Sequence, residues 1–353
     1  MRIFALVSLL ALTVSITACG QRGNRATAEA DVRSYPFGLD KVYETAQNAK
    51  NLHSLLVSYQ GNLSEAYFHR YASDTLDHVR SVTKSVMSTL IGIAIEKGFI
   101  ESLDSPAYQY AGSYRSHFKG QKKDITIRHL LSMSSGLQWT EESGNSEYNE
   151  WVTSRDPILY FLDRPVAHKP GTYFAYNTAS FHLLSLLLEN ASGLNTLEFA
   201  DKFLFNPLGF SKVRWEKLRP GYYNGGAGLE LHPRDMVQFG QLYADKGLYK
   251  EKRIISEAYM LEATSPQQPE GSDFRPGQGY GLGWWLGEEE GIKGFMAQGF
   301  AGQVIAVAPQ FDLVFAITHD WHVGGKQLEQ QAIMAYNTLT RQILEAIVAQ
   351  EER

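Results

Sequence analysis

Strand-like runs lie at the two ends of this sequence and helix-like runs fill its middle, an order that restricts the packing more than any other feature. Near the start, residues 52–59 and 63–71 are rich in β-branched and aromatic side chains. Gly61-Asn62 between them reads as a hairpin turn. Near the end, residues 280–286, 304–308 and 313–318 are short apolar runs bounded by Gly, Pro and Asp, and they read as strands. Helices are predicted at 85–100, ended by Gly98, and at 125–132, 179–189, 195–205 and 233–246. A last amphipathic helix is predicted over 328–348. The 179–189 segment is apolar almost all round and belongs in the interior. The simplest packing is an α+β fold: an antiparallel sheet built from both chain ends and flanked by helices. A mostly helical region of roughly 100–260 is inserted between them.

Composition narrows the function classes. At 44% hydrophobic and 20% charged, the 353-residue chain is neither disordered nor low-complexity, and its length suits one large domain or two closely packed ones. The net charge of −5, without a basic block, argues against nucleic acid as a partner. The single cysteine, Cys19, excludes an internal disulfide and any Cys-built metal site. The ten histidines show no metal-binding spacing. There is no Gly-x-Ser-x-Gly elbow, no phosphate-binding Gly-x-x-x-x-Gly-Lys loop and no dinucleotide fingerprint. Neither a metal nor an organic cofactor is expected.

Residues 1–18 read as a signal peptide, with Arg2 before an apolar run of signal length. The run ends in Ile16-Thr17-Ala18-Cys19, which resembles the lipobox of bacterial lipoproteins. That resemblance implies a lipidated Cys19, a tether over 19–34, and a body over 35–353. With Gly20 after the cysteine, it also implies a bacterial cell envelope location, at the outer membrane facing the periplasm. The membrane would then be a partner through the anchor.

Ser-x-x-Lys occurs at Ser81–Lys84 and at Ser116–Lys119. About one such match is expected by chance in a chain this long, so context decides. Ser116 lies in a polar stretch that reads as solvated loop. Ser81 stands at the mouth of a buried helix, where backbone N–H groups and positive potential face it. One helical turn brings Lys84 onto its face, and a neutral lysine there can take the serine proton.

Beyond that pair, the chain resembles the serine β-lactamase-related hydrolases, which include class C β-lactamases, DD-peptidases, family VIII esterases and 6-aminohexanoate-dimer hydrolase. The resemblance is carried in order by Ser81-Val82-Thr83-Lys84-Ser85 and by Ile125–Leu137. It continues through Pro170–Asn177, Pro207-Leu208-Gly209-Phe210, Gly225–Leu229, Arg234-Asp235-Met236 and Gln298–Gln303. Trp284-Trp285 and Gly302-Gln303 place it nearest the 6-aminohexanoate-dimer hydrolase type. What the resemblance implies is a β-lactamase/DD-peptidase-like fold and an acyl-enzyme on Ser81. Lys84 would set the serine's ionisation, with Tyr176 as general base and acid. The oxyanion hole would be the backbone N–H groups of Ser81 and Phe300, and Gly299 would let its strand approach the substrate.

Two departures matter. Thr178 stands where the family has the asparagine of Tyr-x-Asn, with the amide one residue early at Asn177. Ala297-Gln298-Gly299 puts Ala297 where a substrate-binding cation belongs. Gln298 and Gln303 each read either as an amide contact for substrate or as structural. Trp139, Tyr148, Trp151 and Trp284 suggest an apolar pocket near the site. The expected activity is hydrolysis of a small-molecule ester or amide. The alternatives are a β-lactamase or DD-peptidase, and a non-catalytic cell-envelope binding protein that keeps the fold.

Overall fold

Side-chain alternation and a few glycines account for how the chain packs. The structure, a computed structural model, describes residues 31–32, 38–141, 147–267, 279–289 and 291–352. Among these, eight antiparallel strands form the main sheet. Their spatial order is 31–32, 62–67, 52–59, 313–319, 303–308, 292–299, 285–289 and 279–280. The expected union of the chain ends is its centre: Leu313 pairs with Tyr59 and Ile317 with Leu55.

Strands Gln303–Ala308 and Leu313–His319 are buried at every position, so helices must cover both faces. Alternation assigns the covers. Ile305 and Val307 meet the Pro233–Ala244 helix, where a Cβ on Gly240 would come within 2.9 Å of Ile305 Cγ2. Ala306 and Ala308 face the other way and share a cavity wall with Thr340 and Leu344 of the C-terminal helix.

The inserted region packs around two helices, Thr83–Glu96 and Thr178–Ser192, each buried over nearly its whole length. Gly98, at φ 74°, ends the first, as the sequence suggests. The region also holds small β structures that the helical reading omits. Leu229–Leu231 pairs with both Asp77–His78 and Arg214–Trp215, and Leu248–Tyr249 pairs with Lys252–Arg253.

Other elements differ from expectation. The second hairpin strand ends at Tyr67. The predicted 280–286 strand is two strands, Gly279–Tyr280 and Trp285–Glu289. A turn separates them, with Gly283 at φ 82° and the Gly281 N–H donating to the Trp284 carbonyl at 2.8 Å. Helix Asp40–Asn48 has no counterpart in the sequence reading, and strand Ile292–Gly299 has one only at Gly299, through the family resemblance. The C-terminal helical segment runs from Lys326 to Glu351 through a π-helical stretch, Met334–Leu339.

The signal peptide and Cys19 lie outside the described residues. Asp31–Val32, inside the segment read as tether, pairs with Ala66 and Tyr67 at the sheet edge. No helix among the described residues is long and apolar enough to cross a membrane.

Candidate active site

Ser81 sits in a 3-10 turn, Arg80–Val82, that runs directly into the Thr83–Glu96 helix. The turn is held from three sides. Arg80 has a left-handed φ of 53°, a conformation that costs a non-glycine residue about 1–2 kcal/mol. Its N–H donates to His78 Nδ1 at 3.2 Å, and its carbonyl accepts from Thr83 Oγ1 at 2.6 Å. The Val79 N–H donates to the Leu229 carbonyl at 3.0 Å. Strand Ile292–Gly299 closes the third side: a Cβ on Gly299 would stand 2.3 Å from the Val79 carbonyl oxygen and 3.2 Å from Arg80 Cβ. The sequence reading has Gly299 approaching the substrate. The structure shows it approaching the backbone that carries Ser81. Phe300 follows in the next turn, its side chain 44% exposed.

Lys84 lies one turn along, with only 2% of its surface exposed. Its Nζ is 2.9 Å from Ser81 Oγ, 3.0 Å from Thr178 Oγ1 and 2.7 Å from the Gly226 carbonyl oxygen. Burial lowers its pKa to about 7. The Glu141 charge opposes that shift and Arg80 reinforces it. The amine is therefore partly neutral near neutral pH, the state in which it can accept a proton. The other Ser-x-x-Lys serine, Ser116, is exposed in a surface 3-10 helix.

Two segments that carry the family resemblance brace Tyr176. Gly171 N–H donates to the Ser134 carbonyl at 2.8 Å, and Ala175 N–H to the Met133 carbonyl at 2.9 Å. Gly136, at φ 76°, has no room for a side chain, because a Cβ there would meet the His168 carbonyl oxygen at 2.1 Å. The Tyr176 ring centre is then 5.1 Å from Lys84 Nζ and stacks on Trp285, centroids 5.9 Å apart.

The substituted positions resolve individually. Asn177 is spent as the N-cap of the Thr178–Ser192 helix, its Oδ1 accepting from Ser180 N–H at 2.7 Å. Thr178 supplies the group that touches Lys84. Ala297 is buried in its strand opposite Ile305. Gln298 Nε2 is 2.8 Å from Met296 Sδ. Gln303 is fully buried and bridges the two backbone groups of His319: its Nε2 donates to the carbonyl at 2.9 Å and its Oε1 accepts from the N–H at 3.2 Å.

The aromatic assignments need correction. Trp284 is a core residue between Tyr243 and Phe295, with ring centres 4.5 and 5.2 Å away, and Trp151 is fully buried. Trp285 is the tryptophan that meets Tyr176. Two charged residues were missed from the sequence. Glu141 accepts from Thr178 Oγ1 at 2.5 Å and from Thr178 N–H at 2.6 Å. The Arg80 guanidinium lies 4.6 Å from the Trp321 ring and 5.6 Å from the Phe300 ring. No spacing rule links Glu141 to Thr178, and an arginine beside a serine carries no motif. Among the described residues no cluster of His, Cys, Asp or Glu could hold a metal ion.

A buried lysine touching a serine at a helix mouth, on an antiparallel sheet flanked by helices, is an arrangement suited to a serine hydrolase. The family model described as Beta-lactamase matches residues 53–334, and the chain belongs to that family of serine hydrolases. The chain is 24% identical over 283 residues to 6-aminohexanoate-dimer hydrolase of Paenarthrobacter ureafaciens, spanning 73% of this chain and 70% of that protein. An octameric penicillin-binding protein homologue from Pyrococcus abyssi superimposes with a TM-score of 0.65 at 19% identity, over 83% of this chain and 75% of that one. EstCE1, a hydrolase with promiscuous acyltransferase activity, gives 0.66 at 16% identity, over 84% of this chain and 98% of that one. These likenesses establish the β-lactamase/DD-peptidase-like α+β fold.

Proposed function

We propose that this protein hydrolyses a small-molecule ester or amide through an acyl-enzyme on Ser81. The observation that carries this reading is the 2.9 Å contact between Ser81 Oγ and the buried Nζ of Lys84. In the proposed course, neutral Lys84 takes the Ser81 proton as Oγ bonds to the substrate carbonyl carbon. The carbonyl oxygen becomes an oxyanion, held by the backbone N–H groups of Ser81 and Phe300. Collapse expels the alcohol or amine, protonated by way of Lys84 and Tyr176, and leaves the acyl group on Ser81. Water, deprotonated by the same pair, then releases the acid and restores the serine.

Ala297 favours esters and amides over β-lactams and D-alanyl peptides, because it leaves no cation at the position where the family binds their carboxylate. In this reading Thr178 and Gln298 are the proposed substrate-binding residues, with Gly299 holding the turn beside Ser81. The test is hydrolysis of p-nitrophenyl acetate by wild type and Ser81→Ala. Loss of at least ~10³-fold in the variant is expected, and equal rates would sink the assignment. Strong labelling by a fluorescent penicillin with slow release would favour a penicillin-binding role instead.

We also propose a bacterial cell-envelope location through a lipid on Cys19. Palmitate labelling of the expressed chain, lost in Cys19→Ala, is the expected result. Equal labelling of both would overturn it.

A further inference from the structure

Glu141 carries no role in the mechanism above, yet three donors fix its carboxylate. Oε1 accepts from Thr178 Oγ1 at 2.5 Å; Oε2 accepts from Thr178 N–H at 2.6 Å and from Trp139 Nε1 at 3.0 Å. This arrangement settles the direction of the next hydrogen bond. A hydroxyl has one proton, and Thr178 gives its proton to the carboxylate. Toward Lys84 Nζ, 3.0 Å away, Thr178 can therefore only accept. The Gly226 carbonyl, 2.7 Å away on another side, can only accept as well.

A neutral lysine amine has two N–H bonds and one lone pair. Thr178 and Gly226 take the two N–H bonds. The lone pair is left for the third neighbour, Ser81 Oγ at 2.9 Å. We propose that Glu141 is a positioning residue which, through Thr178, aims the Lys84 lone pair at the Ser81 hydroxyl. This rests on the reading of Ser81 as nucleophile and extends it one residue further from the substrate.

The same carboxylate acts on the charge of Lys84. The groups around the amine are Glu141 on the loop after Trp139, Arg80 on the turn before Ser81 and Tyr176 on the loop before the Thr178–Ser192 helix. Tyr148 and Tyr280 lie next to these groups, and burial pushes both phenols up. Arg80 lowers the Lys84 pKa where Glu141 raises it. Replacing the carboxylate by a neutral amide therefore lets the lysine lose its proton at lower pH.

The experiment measures kcat/KM for p-nitrophenyl acetate against pH in wild type, Glu141→Gln, Thr178→Ser and Thr178→Val. In Glu141→Gln the acidic limb is expected to move down by about one pH unit while the plateau falls about 10-fold. An acidic limb that stays in place, with only a uniform loss of rate, would assign Glu141 a merely structural role and overturn the proposal. Thr178→Ser keeps the relay and should retain the plateau, whereas Thr178→Val should lose about 10-fold. Equal rates in those two would also overturn it, whether or not Glu141→Gln folds. Ser81→Ala in the same series separates the two readings. If Ser81→Ala is inactive and the limb fails to move, this inference alone falls. If Ser81→Ala is fully active, the hydrolase reading falls first.

Discussion

Gly299 and Val79 meet without room for a methyl group between them: a Cβ on Gly299 would lie 2.3 Å from the Val79 carbonyl oxygen. The neighbour is backbone, so it cannot swing aside as a side chain would. Val79 is also tied to Leu229 by its N–H, at 3.0 Å. The end of the Ile292–Gly299 strand thus sets the position of the turn that carries Ser81.

Gly299→Ala is expected to push strand and turn apart and to displace Ser81 from Lys84. A shift near 1 Å at reacting groups costs about 10²-fold in rate. Measuring kcat/KM together with thermal unfolding checks this. The expected pattern is a large rate loss with a smaller stability loss, since most of the sheet is untouched. Full activity in Gly299→Ala would contradict the tight contact.

The Lys84 pKa of about 7 makes a second prediction, in two parts. In the proposed mechanism activity requires the neutral amine, so kcat/KM should rise with pH through about 7 and level off above it. Stability follows from proton counting. Unfolded Lys84 titrates near ~10.4, so between about 7 and that value the unfolded chain holds more protons and wild-type stability rises with pH. Lys84→Met removes this contribution and the catalytic amine together. Its Tm relative to wild type should be most favourable at pH 6 and decline toward pH 9, while activity is absent throughout. A pH-independent difference in Tm would show that Lys84 is not depressed in the folded protein.

The legible part of this molecule was the part encoded by short-range spacing. Ser81 and Lys84 are three residues apart on one helical turn, and the 2.9 Å contact is what that spacing predicts. The terminal strands were legible because Leu313–Ile317 is a continuous apolar run and Leu52–Tyr59 is rich in apolar residues around Leu55-Leu56-Val57, and their antiparallel pairing needs only that they meet. Strand Ile292–Gly299 was not legible. Lys293, Gly294 and Gln298 interrupt its apolar pattern, and its strand character comes from pairing on both edges. Trp284 and Trp285 are indistinguishable in sequence; the turn at Gly283 sends one into the core and the other against Tyr176. Glu141 is 37 residues from Thr178, at a distance no periodicity spans.

Asp235, in the segment matched by family resemblance, makes a third prediction. Its Oδ2 is buried with no hydrogen-bond partner among the described residues, and burial raises its pKa to about 7. Between its ordinary value near 3.8 and about 7 the folded chain binds more protons than the unfolded one. Its contribution is therefore fully present below pH 3.8 and is lost as pH rises through 7. Asp235→Asn keeps the shape and removes the charge. It should stabilise the protein by about 1–3 kcal/mol at pH 8 and by little at pH 4. Denaturant unfolding at the two pH values checks this, and an equal effect at both would contradict the burial argument.

Gln303 allows the last test, because the sequence leaves it open as a substrate contact. Its amide sits against both backbone groups of His319, where pairing of the Leu313–His319 strand with Leu52–Tyr59 shifts register between Thr318 and His319. On the opposite edge, pairing with Gln303–Ala308 stops at Val304 and Ile317, and the Gln303 side chain takes the place of a ladder partner for His319. His319 is itself buried, and its Nδ1 is 3.0 Å from the Gly302 carbonyl oxygen. Gln303→Leu keeps the volume and strands two buried backbone groups, each at a cost of about 1–3 kcal/mol. A fall in Tm of about 5 °C or more is expected. In the fraction that remains folded, KM for p-nitrophenyl acetate should be unchanged, because the amide faces the sheet and is occupied there. An unchanged Tm with a raised KM would instead place Gln303 on the substrate.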